Sequence, residues 1–133
     1  MSDRTRTKEA EAEKRGVRIV IPAPNELFID IDSAAAWDVF HKHFPILNEI
    51  EGGTCRHSWA PSPSGEPGHF HFTVTLGRHI ESETERLALQ AMLGSDITRE
   101  ILSYREMRRG DPIVTVFFEK DEDITYRAEV EGY

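Results

Sequence analysis

Two stretches of the chain alternate with the period of a half-buried strand. In residues 69–76, "HFHFTVTL", Phe70, Phe72, Val74 and Leu76 point one way, and His69, His71, Thr73 and Thr75 point the other. In residues 25–32, "NELFIDID", Leu27, Ile29 and Ile31 share one side, and Asp30 and Asp32 lie on the opposite side. The period then changes. In "AAAWDVFHKHF" Trp37, Phe40 and Phe44 fall at i, i+3 and i+7, one face of a helix, with Asp32 or Ser33 as its N-cap and Pro45 as its expected stop. "TCRHSWAP" is a weaker strand candidate, closed by the turn-rich "PSPSGEPG".

After Gly77 helical spacing returns. Leu89 and Leu93 mark a helix over 82–93 that Gly94 ends, and Ser95 or Asp96 caps a second one in which Ile97, Ile101 and Tyr104 share a face. Gly110 and Pro112 punctuate, "IVTVFFE" is a further strand, and "ITYRAEVE" is one more candidate after the acidic turn "KDED". At the other end, "VRIVIPAP" is a short β-like run ended by Pro22 and Pro24. Residues 1–16 carry mixed charge and no apolar face, so a disordered or frayed helical tail is expected, followed by a single α+β domain over 17–133.

Stripped of its ends, the order is β-α-β-β-α-β with the second helix split. This predicts a ferredoxin-like, RNA-recognition-like antiparallel sheet with helices on one face. In the usual strand order, 4-1-3-2, the first and third strands are antiparallel neighbours. Asp30 and Asp32, at the end of the first, should then meet His69 and His71, at the start of the third, on the uncovered face.

Two carboxylates two residues apart on one strand face stand roughly 6 to 7 Å apart, an unfavourable pairing unless a cation sits between them. Hard ions such as Mg²⁺ or Mn²⁺ suit that pair and leave room for phosphate oxygens, which points to metal-assisted phosphoryl or nucleotidyl transfer. The histidines would bind phosphate when protonated or a transition metal when neutral. The competing reading is a solvated strand end, with Asp32 spent as a helix cap.

Composition narrows the field. The chain has 133 residues, 38% hydrophobic and 30% charged, enough for one core. One cysteine, Cys55, leaves no internal disulfide or cysteine-rich zinc site, which fits a reducing, cytoplasmic setting. No apolar run approaches the roughly 20 residues of a membrane helix, and no signal-peptide core is present, so no membrane partner is expected. A net charge of −8 argues against coating nucleic acid by bulk electrostatics.

An apolar strand ending "FIDID", followed by "SPSGEPGHFH" leading into a strand, resembles the palm of the archaeo-eukaryotic primase and primase-polymerase superfamily. The resemblance spans residues 25–76, with a looser echo in "LGSDITREILSYREMRRG" and "TVFFEK". It implies a nucleotidyltransferase acting on nucleoside triphosphates and nucleic acid with Mg²⁺ or Mn²⁺, in replication or repair of a phage or mobile element. Asp30 and Asp32 would be metal ligands, Ser64, Gly65 and Gly68 the nucleotide-binding turn, and His69 or His71 the histidine that contacts the nucleotide. Gly68 is followed directly by His69, and His71 comes two residues later, so both remain candidates.

The resemblance also implies a third acid on a later strand. Glu119 ends "IVTVFFE", but seven strand residues cover roughly 23 Å and carry it to the wrong end. Asp111, before that strand, is on the right side, and Asp96 is an alternative whose simpler role is capping a helix. Arg99 could meet phosphate, although Glu100 and Glu106 interleave with Arg99, Arg105, Arg108 and Arg109 and favour a solvated face. His41, His43, His57 and His79 show no ligand spacing. The chain is small for template binding, so a protein partner is expected. The alternatives are a non-catalytic protein-interaction domain of the same fold and a metal-dependent hydrolase.

Overall fold

A computed structural model describes residues 3–14, 16, 18–111 and 115–119 of the chain, with side chains described for 8–14, 16, 18–111 and 115–118. The elements are α1 (Asp3–Lys14), β1 (Arg18–Val20), β2 (Glu26–Ile31), α2 (Ala34–Ile50), β3 (Arg56–Pro61), β4 (Phe70–Thr75), α3 (Glu83–Met92), α4 (Ile97–Arg108) and β5 (Phe117–Glu119). The strands form an antiparallel sheet of order β2-β4-β3 and a separate antiparallel pair, β1-β5. No helix among the described residues is long and apolar enough to cross a membrane.

The alternating pattern sets the larger sheet. Leu27, Ile29 and Ile31 of β2, with Phe72 and Val74 of β4, are fully buried on the face that α2 covers. Phe40 of α2 packs on Phe72 with ring centroids 4.2 Å apart, and Trp37 meets Phe72 at 5.4 Å. Ser33, not Asp32, caps α2: its side chain accepts from the Ala36 N–H at 3.1 Å. Pro45 does not end α2, which runs on to Ile50. Proline removes one backbone bond, but continuing the helix packs Leu47 against the core on the stripe of Trp37, Phe40 and Phe44.

The last strand departs most from the ferredoxin-like expectation. It was expected beside β2, yet β5 pairs with β1, with Phe118 opposite Ile19. The free edge of β2 is already occupied. Its outward backbone groups are met by side chains of α3 and the α3–α4 corner. Arg86 Nε donates to the Glu26 carbonyl at 3.0 Å, and the Phe28 N–H donates to Gln90 Oε1 at 2.8 Å. Arg99 donates to the Phe28 carbonyl at 2.8 Å, and the Asp30 N–H donates to Ser95 Oγ at 2.9 Å. The Asp96 N–H completes the row by donating to the Asp30 carbonyl at 2.8 Å. An unpaired edge is thereby closed without a strand.

Two further features frame the site. The N-terminal segment is a helix whose Ala12 is buried and whose Lys8 pairs with Glu106 at 2.9 Å. The face of the sheet opposite α2 is not bare, because Phe117 of β5 lies on it, stacked on Phe28 at 4.4 Å and on His71 at 3.9 Å. The candidate strand "ITYRAEVE" lies outside the described residues. At the α3–α4 corner Gly94 has φ +92°, and a Cβ there would stand 2.8 Å from the Ala36 carbonyl oxygen, so this corner needs glycine to close on α2.

Gln90 is fully buried, and its amide also donates to Glu100 Oε1 at 3.1 Å. Gln90→Leu keeps the volume but orphans the Phe28 N–H and removes one of the hydrogen bonds of the buried Glu100 carboxyl. The expected cost is about 2 to 3 kcal/mol in urea unfolding, with an unchanged m-value.

Candidate functional site

Register brings the first pair of expected residues together. Asp30 and His71 are directly opposite on β2 and β4, and His71 Nε2 stands 3.8 Å from Asp30 Oδ1. That is an electrostatic contact rather than a hydrogen bond. Asp30 is held from both sides of its own backbone, by Ser95 Oγ and by the Asp96 N–H. His71 is buried, with its ring parallel to Phe117 within 5°.

Asp30, His71 and Phe118 form a wall shared by two cavities. One, about 350 Å³, extends toward α4 and α1 and is lined by Lys8, Asp96, Thr98, Arg99 and Phe117 among others. The other, about 240 Å³, extends toward the β3–β4 connection and is lined by Ser62, Ser64, Glu66 and His69. That connection is a tight turn. The Ser62 N–H donates to the His69 carbonyl at 2.9 Å, and the Gly65 N–H donates to the Ser62 carbonyl at 3.0 Å. Gly65 and Gly68 take φ of +72° and +81°, which no β-branched residue would hold comfortably. The turn leaves His69 partly exposed and 3.2 Å from Glu66 Oε2.

Burial pushes the Asp30 carboxyl above the usual carboxylate range. Arg99 pulls it back, Asp96 and Asp32 raise it as like charges, and the charge of His69 lowers it. Arg99, Asp96, Asp32 and His69 thus all act on the single Asp30 carboxyl. Asp32 is exposed just past the end of β2.

The remaining expected residues divide differently. Arg99 lines the larger cavity, but its guanidinium is committed to the Phe28 carbonyl, Ser95 Oγ at 3.0 Å and Glu100 at 3.4 Å, and it lies over the Phe117 ring. Asp111 lines neither cavity; it is buried after α4, its N–H donating to the Glu106 carbonyl. The acid beside Asp30 is instead Asp96, whose side chain caps α4 at Thr98 N. Glu119 pairs with Arg18 in the smaller sheet. Sequence reasoning missed Lys8 and Phe118. The adjacent phenylalanines of β5, one toward each side of a strand, were the only signal for the latter.

Among the described residues no three carboxylate, imidazole or thiol groups are grouped to enclose a metal ion. The donor set fits one or two carboxylates from the protein with the other positions filled by water or phosphate, the way Mg²⁺ is commonly held. Comparisons with family models, with curated proteins and with solved structures give no match for this chain.

Because Asp30 has a higher pKa folded than unfolded, folding favours its protonated form. The penalty is absent below about pH 3.9, the unfolded value, grows as pH rises above it and levels off above the folded one. Asp30→Asn should therefore raise the melting temperature by a few degrees at pH 7, and the gain should vanish as the pH is lowered toward 4 in a series of thermal melts.

Proposed function

We propose that the cleft around Asp30 binds a nucleoside triphosphate together with Mg²⁺ or Mn²⁺, in the manner of a reduced primase-polymerase palm built on a ferredoxin-like core. The observation that supports this most directly is the convergence on Asp30. His71 lies opposite it in register, Asp32 and Asp96 raise its pKa, and the Ser62–His69 turn forms the far wall of the cavity. A carboxyl held among like charges, at the mouth of a glycine-shaped turn, is suited to a cation that arrives with phosphate. When bound, the metal would supply charge neutralisation at the phosphates.

The two histidines take different parts. His69 is partly exposed and faces the turn cavity, so it is the imidazole that meets phosphate. His71 is buried beneath Phe117 and holds the Asp30 carboxyl from behind, so it is a positioning residue. Asp30, with Asp32 or Asp96 beside it, would hold the ion. Ser64, Gly65 and Gly68 shape the loop that would follow the phosphates. The reaction class is nucleotidyl transfer, with template held by a protein partner.

A second reading has its own support. Lys8 and Arg99, the two cations of the larger cavity, are both engaged by protein groups, and this favours a non-catalytic interaction domain of the same fold.

Calorimetric titration with Mn²⁺ and a nucleoside triphosphate separates the two. Wild type is expected to release heat only when metal and nucleotide are both present. Asp30→Asn/Asp32→Asn should abolish the signal, and His69→Ala should weaken binding about tenfold, the loss of one charge-assisted contact. Absence of heat from folded wild type assigns the chain to the interaction reading.

A further inference from the structure

Among the described residues two apolar surfaces are exposed, on different elements and outside the lining of the Asp30 cleft. The first is the outward face of α4. Ile97, Ile101 and Tyr104, spaced i, i+4 and i+7, are 58%, 54% and 46% exposed. The stripe continues into Arg108, with Arg105 alongside, both exposed. The acids of α4 do not share this face: Glu100 is buried against Gln90, and Glu106 is held by Lys8. On a chain of net charge −8, the described residues of α4 make this face apolar with cationic charges.

The second is a groove of about 430 Å³ between α2 and α3, lined chiefly by Ile46, Ile50, Leu89 and Met92. Ile50 is 75% exposed, Met92 62% and Ile46 57%. Glu51 lines the groove, and one guanidinium, Arg78, is shared between Glu51 and Glu85, at 2.9 Å from each. Of the two acids only Glu51 lines the groove, and two carboxylates against one cation leave this cluster at its rim net negative.

These surfaces complement each other. An interhelical groove accepts a helix face that offers anchors at i, i+4 and i+7. The net-negative cluster at the groove's rim matches the arginine end of the stripe, and the stripe's aliphatic side chains fit a protein groove better than a phosphate backbone. The α4 helix cannot turn into the groove of its own chain, because Arg99 and the Gln90–Glu100 bond fix it along β2. We propose that this chain self-associates, the outward face of α4 in one copy seating in the α2–α3 groove of another. The contact joins unlike surfaces, so it is heterologous. It does not depend on nucleotide binding.

Sedimentation velocity on the full chain tests this between about 5 and about 500 µM, the range of a weak interface. Wild type is expected to sediment faster as concentration rises. A stripe variant, Ile101→Glu/Tyr104→Glu, and a groove variant, Ile50→Glu/Met92→Glu, should each stay monomeric. Because all four positions are exposed, circular dichroism and melting should match wild type. An equimolar mixture of the two variants should form a 1:1 complex, since it retains one intact stripe and one intact groove. If a double variant unfolds, Ile101→Ala and Met92→Ala replace it, each expected to weaken association at least fivefold. Wild type that remains monomeric throughout overturns the proposal. So does a mixture that remains monomeric while wild type associates, or a folded double variant that associates like wild type.

Discussion

The free edge of β2 organises the molecule. An edge strand presents backbone N–H and C=O groups that must be satisfied or left to water. Here Arg86, Gln90, Ser95, Asp96 and Arg99 meet that edge from Glu26 to Asp30, all at hydrogen-bonding distance. Side chains take the place of a neighbouring strand. This anchors α3 and α4 to the sheet and leaves β5 to pair with β1. It also brings buried charge into the interior. Burial holds the Arg86 guanidinium below its ordinary pKa and the Glu100 carboxyl above its own. Such groups persist because their hydrogen bonds are complete, and removing one partner is costlier than the bond is worth.

The same edge fixes the site. Asp30 is the last outward-facing residue of β2, so the bonds that close the edge also hold its backbone at the mouth of the cleft. Its carboxyl then meets His71 through strand register and Asp96 through the helix corner. Phe117 lies over His71 and restricts it to its Asp30-facing side. Burial and like charges raise the pKa of this carboxyl beside the partly exposed His69, and this supports the proposed cation and phosphate site.

Much of this was legible in the chain. Alternation in "HFHFTVTL" identified β4 and its buried side correctly, because period-2 patterning leaves little freedom once one face is apolar. The β2–β4 pairing, and with it the meeting of Asp30 and His71, followed from local elements plus one assumption about strand order. Other features were not legible. Pro45 reads as a helix stop, yet the packing of Leu47 overrides it. The polar face of the sheet reads as open, yet Phe117 covers it from a strand more than forty residues away. Gln90 reads as an ordinary surface residue of a helix, and nothing nearby in sequence announces that it bonds to the backbone of Phe28.

The sequence by itself determined the α+β class, the identities and buried faces of the principal strands, and the residue types gathered near Asp30. These depend on periodicity and residue type, which are local. The tertiary structure alone decided which acid joins Asp30, which histidine remains accessible, and what occupies the edge where a fourth strand was expected. Those outcomes turn on competition among distant side chains for the same few backbone groups, and no local pattern records who wins.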